Sequence, residues 1–64
     1  VFIEIKIPLD KAIRDALVIY EELKIEMDEN YLYIRFEAED ATKARQIINT
    51  VFRILQTIEK IKNL

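Results

Sequence analysis

The sequence predicts an α+β fold, a two-layer sandwich of order β-α-β-β-α with a three-stranded antiparallel sheet and two helices on one of its faces. Three observations carry this expectation. Apolar and polar residues alternate with period two in three short stretches. Two other stretches carry apolar residues at three- and four-residue steps, the spacing of one helix face. The last two alternating stretches are separated only by Asp28-Glu29-Asn30, so they are expected to pair as an antiparallel hairpin. Each strand has one apolar face, and amphipathic helices laid over that face bury it.

The first strand is read from Val1 to Ile7, with Val1, Ile3, Ile5 and Ile7 on one side and Phe2, Glu4 and Lys6 on the other. Pro8 is expected to stop it, because proline cannot donate to a ladder. Asp10 is the expected N-cap of the first helix, whose carboxylate satisfies free N–H groups of the first turn. Ala12, Ile13, Ala16, Leu17, Ile19, Tyr20 and Leu23 form its apolar face, and Val18 stands alone in the polar one. Lys24 to Asp28 is a short second strand with Ile25 and Met27 on one side. Asn30 is suited to the left-handed conformation of a tight turn. The third strand runs from Tyr31 to Ala38, with Leu32, Ile34, Phe36 and Ala38 facing one way. Asp40 caps the last helix, Ala41 to Leu64, of about six turns. Its apolar face holds Ala44, Ile47, Ile48, Val51, Ile54, Leu55, Ile58 and Ile61. Ala41 and Phe52 widen that face to roughly half the circumference, more than the ~100° that seats a helix on a core. The excess is either deep burial or a second contact surface.

The chain of 64 residues is expected to be a single domain, 1–64, small enough to be marginal alone. Small domains gain stability from disulfides, a metal or a partner chain. With no cysteine and no histidine, the partner chain is the device left. The lack of cysteine also suits the cytoplasm. A hydrophobic share of 52% argues against disorder, yet no uncharged apolar run is long enough to span a membrane. No secretory signal opens the chain, and the start at Val1 rather than Met suggests a trimmed N-terminus. Abundant isoleucine, lysine and glutamate without glycine leans toward a thermophilic source. The net charge of −2 divides unevenly: residues 1–40 hold five basic and eleven acidic side chains, and residues 41–64 five basic and one acidic. A basic helix faces nucleic acid or an acidic partner, or lies beside its own acidic half, and the last reading is preferred.

Catalytic chemistry is nearly absent. There is no Cys, His, Ser or Gly, hence no common nucleophile–base pair and no phosphate-cradling loop. No catalytic residue, metal, cofactor or small-molecule substrate is expected, so the chain reads as a non-enzyme. The acidic pairs Glu21-Glu22 and Asp28-Glu29 read as solvated surface. The open sheet face sets Phe2, Tyr31 and Tyr33 beside Lys6 and Arg35. Such a face stacks RNA bases, or it is covered by a second copy of the chain. The second option is preferred, which makes Phe2, Tyr31, Tyr33 and Arg35 the candidate dimer interface.

The run Ala44-Arg45-Gln46-Ile47-Ile48-Asn49-Thr50-Val51-Phe52 resembles the helix signature of the small dimer-forming subunit of the KEOPS complex: an Arg, an Asn four positions on, then an aliphatic–aromatic pair. Ala16 to Leu23 (ALVIYEEL) resembles that family's first helix, and Tyr31 to Asp40 (YLYIRFEAED) its last strand leading into the long helix. The order of elements matches, and the resemblance spans nearly the whole chain. Lys24 to Asn30 is shorter than the family's middle strand and hairpin, as in a minimal member or a paralogue.

The resemblance implies a cytoplasmic, archaeal-type scaffold. KEOPS installs threonylcarbamoyl on the adenosine next to the anticodon in tRNAs that read codons beginning with A. The small subunit is not the catalyst. It pairs with itself or a paralogue, docks through its helices on the catalytic threonylcarbamoyl transferase subunit, and helps support tRNA. On this reading Val18, Arg45, Asn49 and Phe52 are the candidate partner-binding residues, and Arg45, Arg53 and Lys60 the candidate tRNA contacts. The alternatives are a stand-alone single-stranded RNA-binding module that uses the aromatic sheet face, and a small structural oligomerisation domain.

Overall fold

The computed structural model describes residues 1–62. Five elements follow one another: β1 (Phe2–Pro8), α1 (Lys11–Leu17), β2 (Lys24–Met27), β3 (Tyr31–Glu37) and α2 (Ala41–Lys62). The sheet order is β1-β3-β2, with β3 antiparallel to both neighbours. β1 and β2 therefore run parallel to each other, separated by the strand made last. Both helices pack on the same face of this sheet, as the alternation predicts.

The pairing of β1 explains its proline. The Val1 amino group donates to the Ala38 carbonyl at 2.7 Å, and the Ala38 N–H donates back to the Val1 carbonyl at 2.8 Å. Counting along the register, the odd-numbered residues of β1 turn their backbone groups to β3, and the even-numbered ones to the free edge. Pro8 falls on the free edge opposite Tyr31, where its missing N–H breaks no bond to β3. It is the last residue of the strand rather than its stop.

Asp10 caps α1 as expected: its carboxylate accepts from the N–H groups of Ala12 (2.9 Å) and Ile13 (3.2 Å). The helix ends at Leu17, short of the expected Leu23. Val18 and Ile19 are adjacent β-branched residues, which lose rotamer freedom in a helix, and the chain must turn here toward β2. The Tyr20 N–H donates to the Leu17 carbonyl and the Leu23 N–H to the Tyr20 carbonyl, two tight turns that swing Leu23 into the core. Ile19 goes the other way: it was expected inside and is 74% exposed.

The hairpin turn is also built differently from the expectation. No residue in the described chain has a positive φ, so Asn30 is not left-handed. Instead the Asp28 carboxylate accepts from the N–H groups of Asn30 (2.8 Å) and Tyr31 (2.7 Å) and closes the turn from its side chain.

α2 begins as predicted, with the Asp40 carboxylate accepting from the Lys43 N–H at 2.8 Å. Its apolar side lies on the sheet, where Ala44 and Val51 join Leu17, Leu23, Ile34, Phe36 and Ala38 in one core. α1 runs antiparallel to α2: Ile13 lies near Leu55 and Ile58, and Lys62 forms an ion pair with Asp10 at the far end. A helix of 22 residues is about 33 Å long, longer than a strand of seven, and Ile61 in its last turn is exposed rather than buried. The expected end at Leu64 lies outside the described residues.

Candidate functional site

α2 presents three different sides. One, with Lys43, Gln46, Ile47, Thr50 and Ile54, lines a cleft with Tyr20, Glu22 and Leu23 of the α1–β2 loop. A second, with Leu55, Ile58, Glu59 and Lys62, meets the end of β1 and the start of α1. Between the β1 side and solvent runs an exposed stripe: Ala41, Arg45, Asn49, Phe52 and Gln56. The steps of four, four, three and four residues keep these side chains in line. Phe52, the fourth of the five, is 48% exposed. Among the described residues, neither Arg45 nor Asn49 makes a side-chain hydrogen bond or ion pair.

The structure thus brings together three of the four residues expected to bind a partner. Val18 is separate. It caps α1 just ahead of the loop whose Tyr20 and Leu23 face the Lys43–Thr50 side of α2, away from the stripe, and it stands next to the exposed Ile19. Ala41 and Gln56 were not singled out from the sequence, although extending the Arg45–Asn49–Phe52 spacing one step each way reaches both.

Arg53 and Lys60 lie farther round α2, exposed and two turns apart, about 10 Å along the axis. Thr50 and Thr57 donate their hydroxyls to the carbonyls of Gln46 (3.1 Å) and Arg53 (2.9 Å), so these hydroxyls already have acceptors. Of the basic residues of α2, Lys62 makes the one ion pair with the acidic half among the described residues. Lys43 shares a cleft with Glu22, Glu37 and Glu39. Among the described residues Arg45, Arg53 and Lys60 make no ion pair, so the helix neutralises only part of its charge against its own chain.

The outer sheet face is organised by cross-strand pairs. Register sets Glu4 and Lys24 on either side of Arg35, and Lys6 and Glu26 on either side of Tyr33. The Arg35 guanidinium donates to Glu4 Oε2 at 2.7 Å and reaches Glu26 Oε1 at 2.9 Å. Glu4 first, then Glu26, hold the guanidinium above its ordinary pKa. Tyr33 donates its hydroxyl to Asp28 at 2.7 Å, which raises the phenol's pKa. The Lys6 ammonium sits 4.0 Å from the centre of the Tyr31 ring, a cation–π contact. Of the four residues expected at a dimer contact, Tyr33 and Arg35 are engaged within the chain, Tyr31 carries Lys6 on its ring, and Phe2 is 66% exposed. A base stacking on that face of Tyr31 has to displace Lys6.

Among the described residues no group of three metal-ligating side chains converges, and no helix is long and apolar enough to cross a membrane. Compared with known families, residues 3–63 match the family described as transcription factor Pcc1. No curated protein and no solved structure matches the chain.

Proposed function

The chain belongs to the Pcc1 family, which supplies a non-catalytic subunit of the KEOPS complex, and from that membership we propose that it is a dimer-forming scaffold that docks on the catalytic threonylcarbamoyl transferase subunit in the cytoplasm and supports tRNA modification. The observation that carries the docking is the Arg45–Asn49–Phe52 stripe, an exposed helix side with two unused polar groups followed by an aromatic ring. Such a side fits a partner's helix or groove, with the ring as the buried anchor. The second copy, or a paralogue, covers apolar surface that a chain of this size cannot bury alone. Arg53 and Lys60 serve as backbone contacts to tRNA phosphates.

Light scattering on a sizing column tests this reading, first with the chain alone and then with the catalytic subunit from the same source. A dimer that moves into a larger complex is the expected result. A dimer that ignores the catalytic subunit would leave the structural oligomeriser as the reading.

A further inference from the structure

Thr57 stands between Arg53 and Lys60 on one side of α2, about 6 Å along the axis from the first and about 4.5 Å from the second. All three residues are exposed, and neither cation makes an ion pair among the described residues. The side is free of acid: residues 41–58 contain no Asp or Glu, and Glu59 turns toward the groove at the end of β1. The proton of the Thr57 hydroxyl is directed inward, donated to the Arg53 carbonyl at 2.9 Å. A hydroxyl has one proton and two lone pairs, so the group that Thr57 offers to solvent is an acceptor. Thr50 makes the same inward bond, to the Gln46 carbonyl at 3.1 Å. It lines the cleft that also holds Glu22, whose charge repels a phosphate.

An acceptor placed between two cations selects its ligand. Each cation draws an anion, but a phosphodiester has no proton to give to the oxygen that lies between them. In RNA the ribose 2′-hydroxyl supplies that proton between one phosphate and the next, and DNA lacks it. We propose that Thr57 accepts a hydrogen bond from a ribose 2′-hydroxyl while Arg53 and Lys60 hold phosphates on either side, so that this side of α2 distinguishes RNA from DNA; this deepens, and rests on, the tRNA reading above. The surface that fits it is the wide, shallow minor groove of an A-form duplex, which displays 2′-hydroxyls and which side chains can enter. The two cations bind either nucleic acid and set affinity, whereas Thr57 adds the preference. The Arg53 carbonyl keeps the Thr57 hydroxyl turned the right way before the ligand arrives.

Fluorescence anisotropy at one fixed salt concentration tests this with three probes of one sequence: an RNA hairpin, its 2′-O-methyl form and its DNA form. The 2′-O-methyl hairpin keeps the A-form shape and the oxygen but has no proton to donate, so it separates the hydroxyl from the shape. Wild type is expected to bind the RNA hairpin about fivefold more tightly than the 2′-O-methyl form, the effect of one hydrogen bond. Thr57→Val keeps the shape and the β-branch of the side chain. It is expected to lower RNA affinity about fivefold and to leave the other two probes unchanged, whereas Thr57→Ser retains the preference. Thr50→Val is expected to change none of the three. Equal losses on all three probes in Thr57→Val, or a loss at Thr50 matching that at Thr57, overturn the assignment. Wild type that binds all three alike, with a salt-dependent affinity, overturns the 2′-hydroxyl contact and leaves the phosphate contacts standing. Wild type that binds none of them overturns both.

Discussion

Tyr33 and Asp28 are tied by a 2.7 Å hydrogen bond in which the phenol donates to the carboxylate that also closes the hairpin turn. One aspartate thus holds the turn and anchors the first residues of β3. The Asn30 N–H, the Tyr33 hydroxyl and the Tyr31 N–H, in that order, keep its carboxyl below the usual range. Asp10 is lowered as well, chiefly by Lys62. Both shifts favour the ionised form in the folded state. Their stabilisation is present above the ordinary aspartate pKa of about 3.9 and lost as pH falls through the lower folded values. Thermal melting is expected to be level from neutral pH to mild acid and to drop below about pH 4, and Asp28→Ala and Asp10→Ala to flatten that drop while lowering the midpoint at neutral pH. An acid drop of equal size in both variants would place its origin elsewhere.

Asp40→Ala removes the cap of the longest helix. A loss of about 1 kcal/mol in chemical denaturation is expected, with the slope against denaturant unchanged. A silent substitution would mean that the first turn of α2 is held by its packing alone.

Leu17 and its two followers offer a sharper contrast. Leu17 is fully buried, and Val18 and Ile19 are 52% and 74% exposed. Leu17→Ala is expected to cost about 2–5 kcal/mol, a large part of what a domain of this size has, whereas Val18→Ala and Ile19→Ala stay within about 0.5 kcal/mol. Equal losses at all three would show that α1 continues as a helix and buries Ile19.

For docking, Phe52→Asp is expected to abolish binding to the catalytic subunit while leaving circular dichroism and dimer size unchanged, with Arg45→Ala and Asn49→Ala weakening it. Val18→Asp tests the separate patch on α1. If Phe52→Asp dissolves the dimer instead, the ring belongs to the dimer contact and not to the docking surface.

For tRNA, Arg53→Gln and Lys60→Gln should each weaken binding without regard to sequence and reduce the salt slope by about one. Titration at several salt concentrations measures this, and an unchanged slope would remove both residues from the interface.

The elements and their order were legible because their signals are local: a period, and an aspartate ahead of each helix. The end of α1 was not, because two successive turns return Tyr20 and Leu23 to the core at nearly the spacing a helix would use. Sheet order was hidden for a different reason. All three strands alternate alike, and only the long-range register shows β1 beside β3. The Arg45–Asn49–Phe52 stripe could be read from helical spacing, but the separation of Val18 from it depends on how α1 packs. On the outer face, the types of residue were evident, whereas the partners of Arg35 and Tyr33 follow from pairing that no local pattern encodes.

The position of β3 between its two neighbours also sets a timetable. The β2–β3 hairpin closes a short loop and forms on the microsecond scale, but β1 has no partner until the chain beyond residue 31 is available. During synthesis β1 must wait, apolar on one face, for the last strand to leave the ribosome, which makes it the segment most open to mispairing with other chains. In refolding, substitutions at Ile25 and Ile34 should slow the folding rate, and those at Ile3 should mainly speed unfolding.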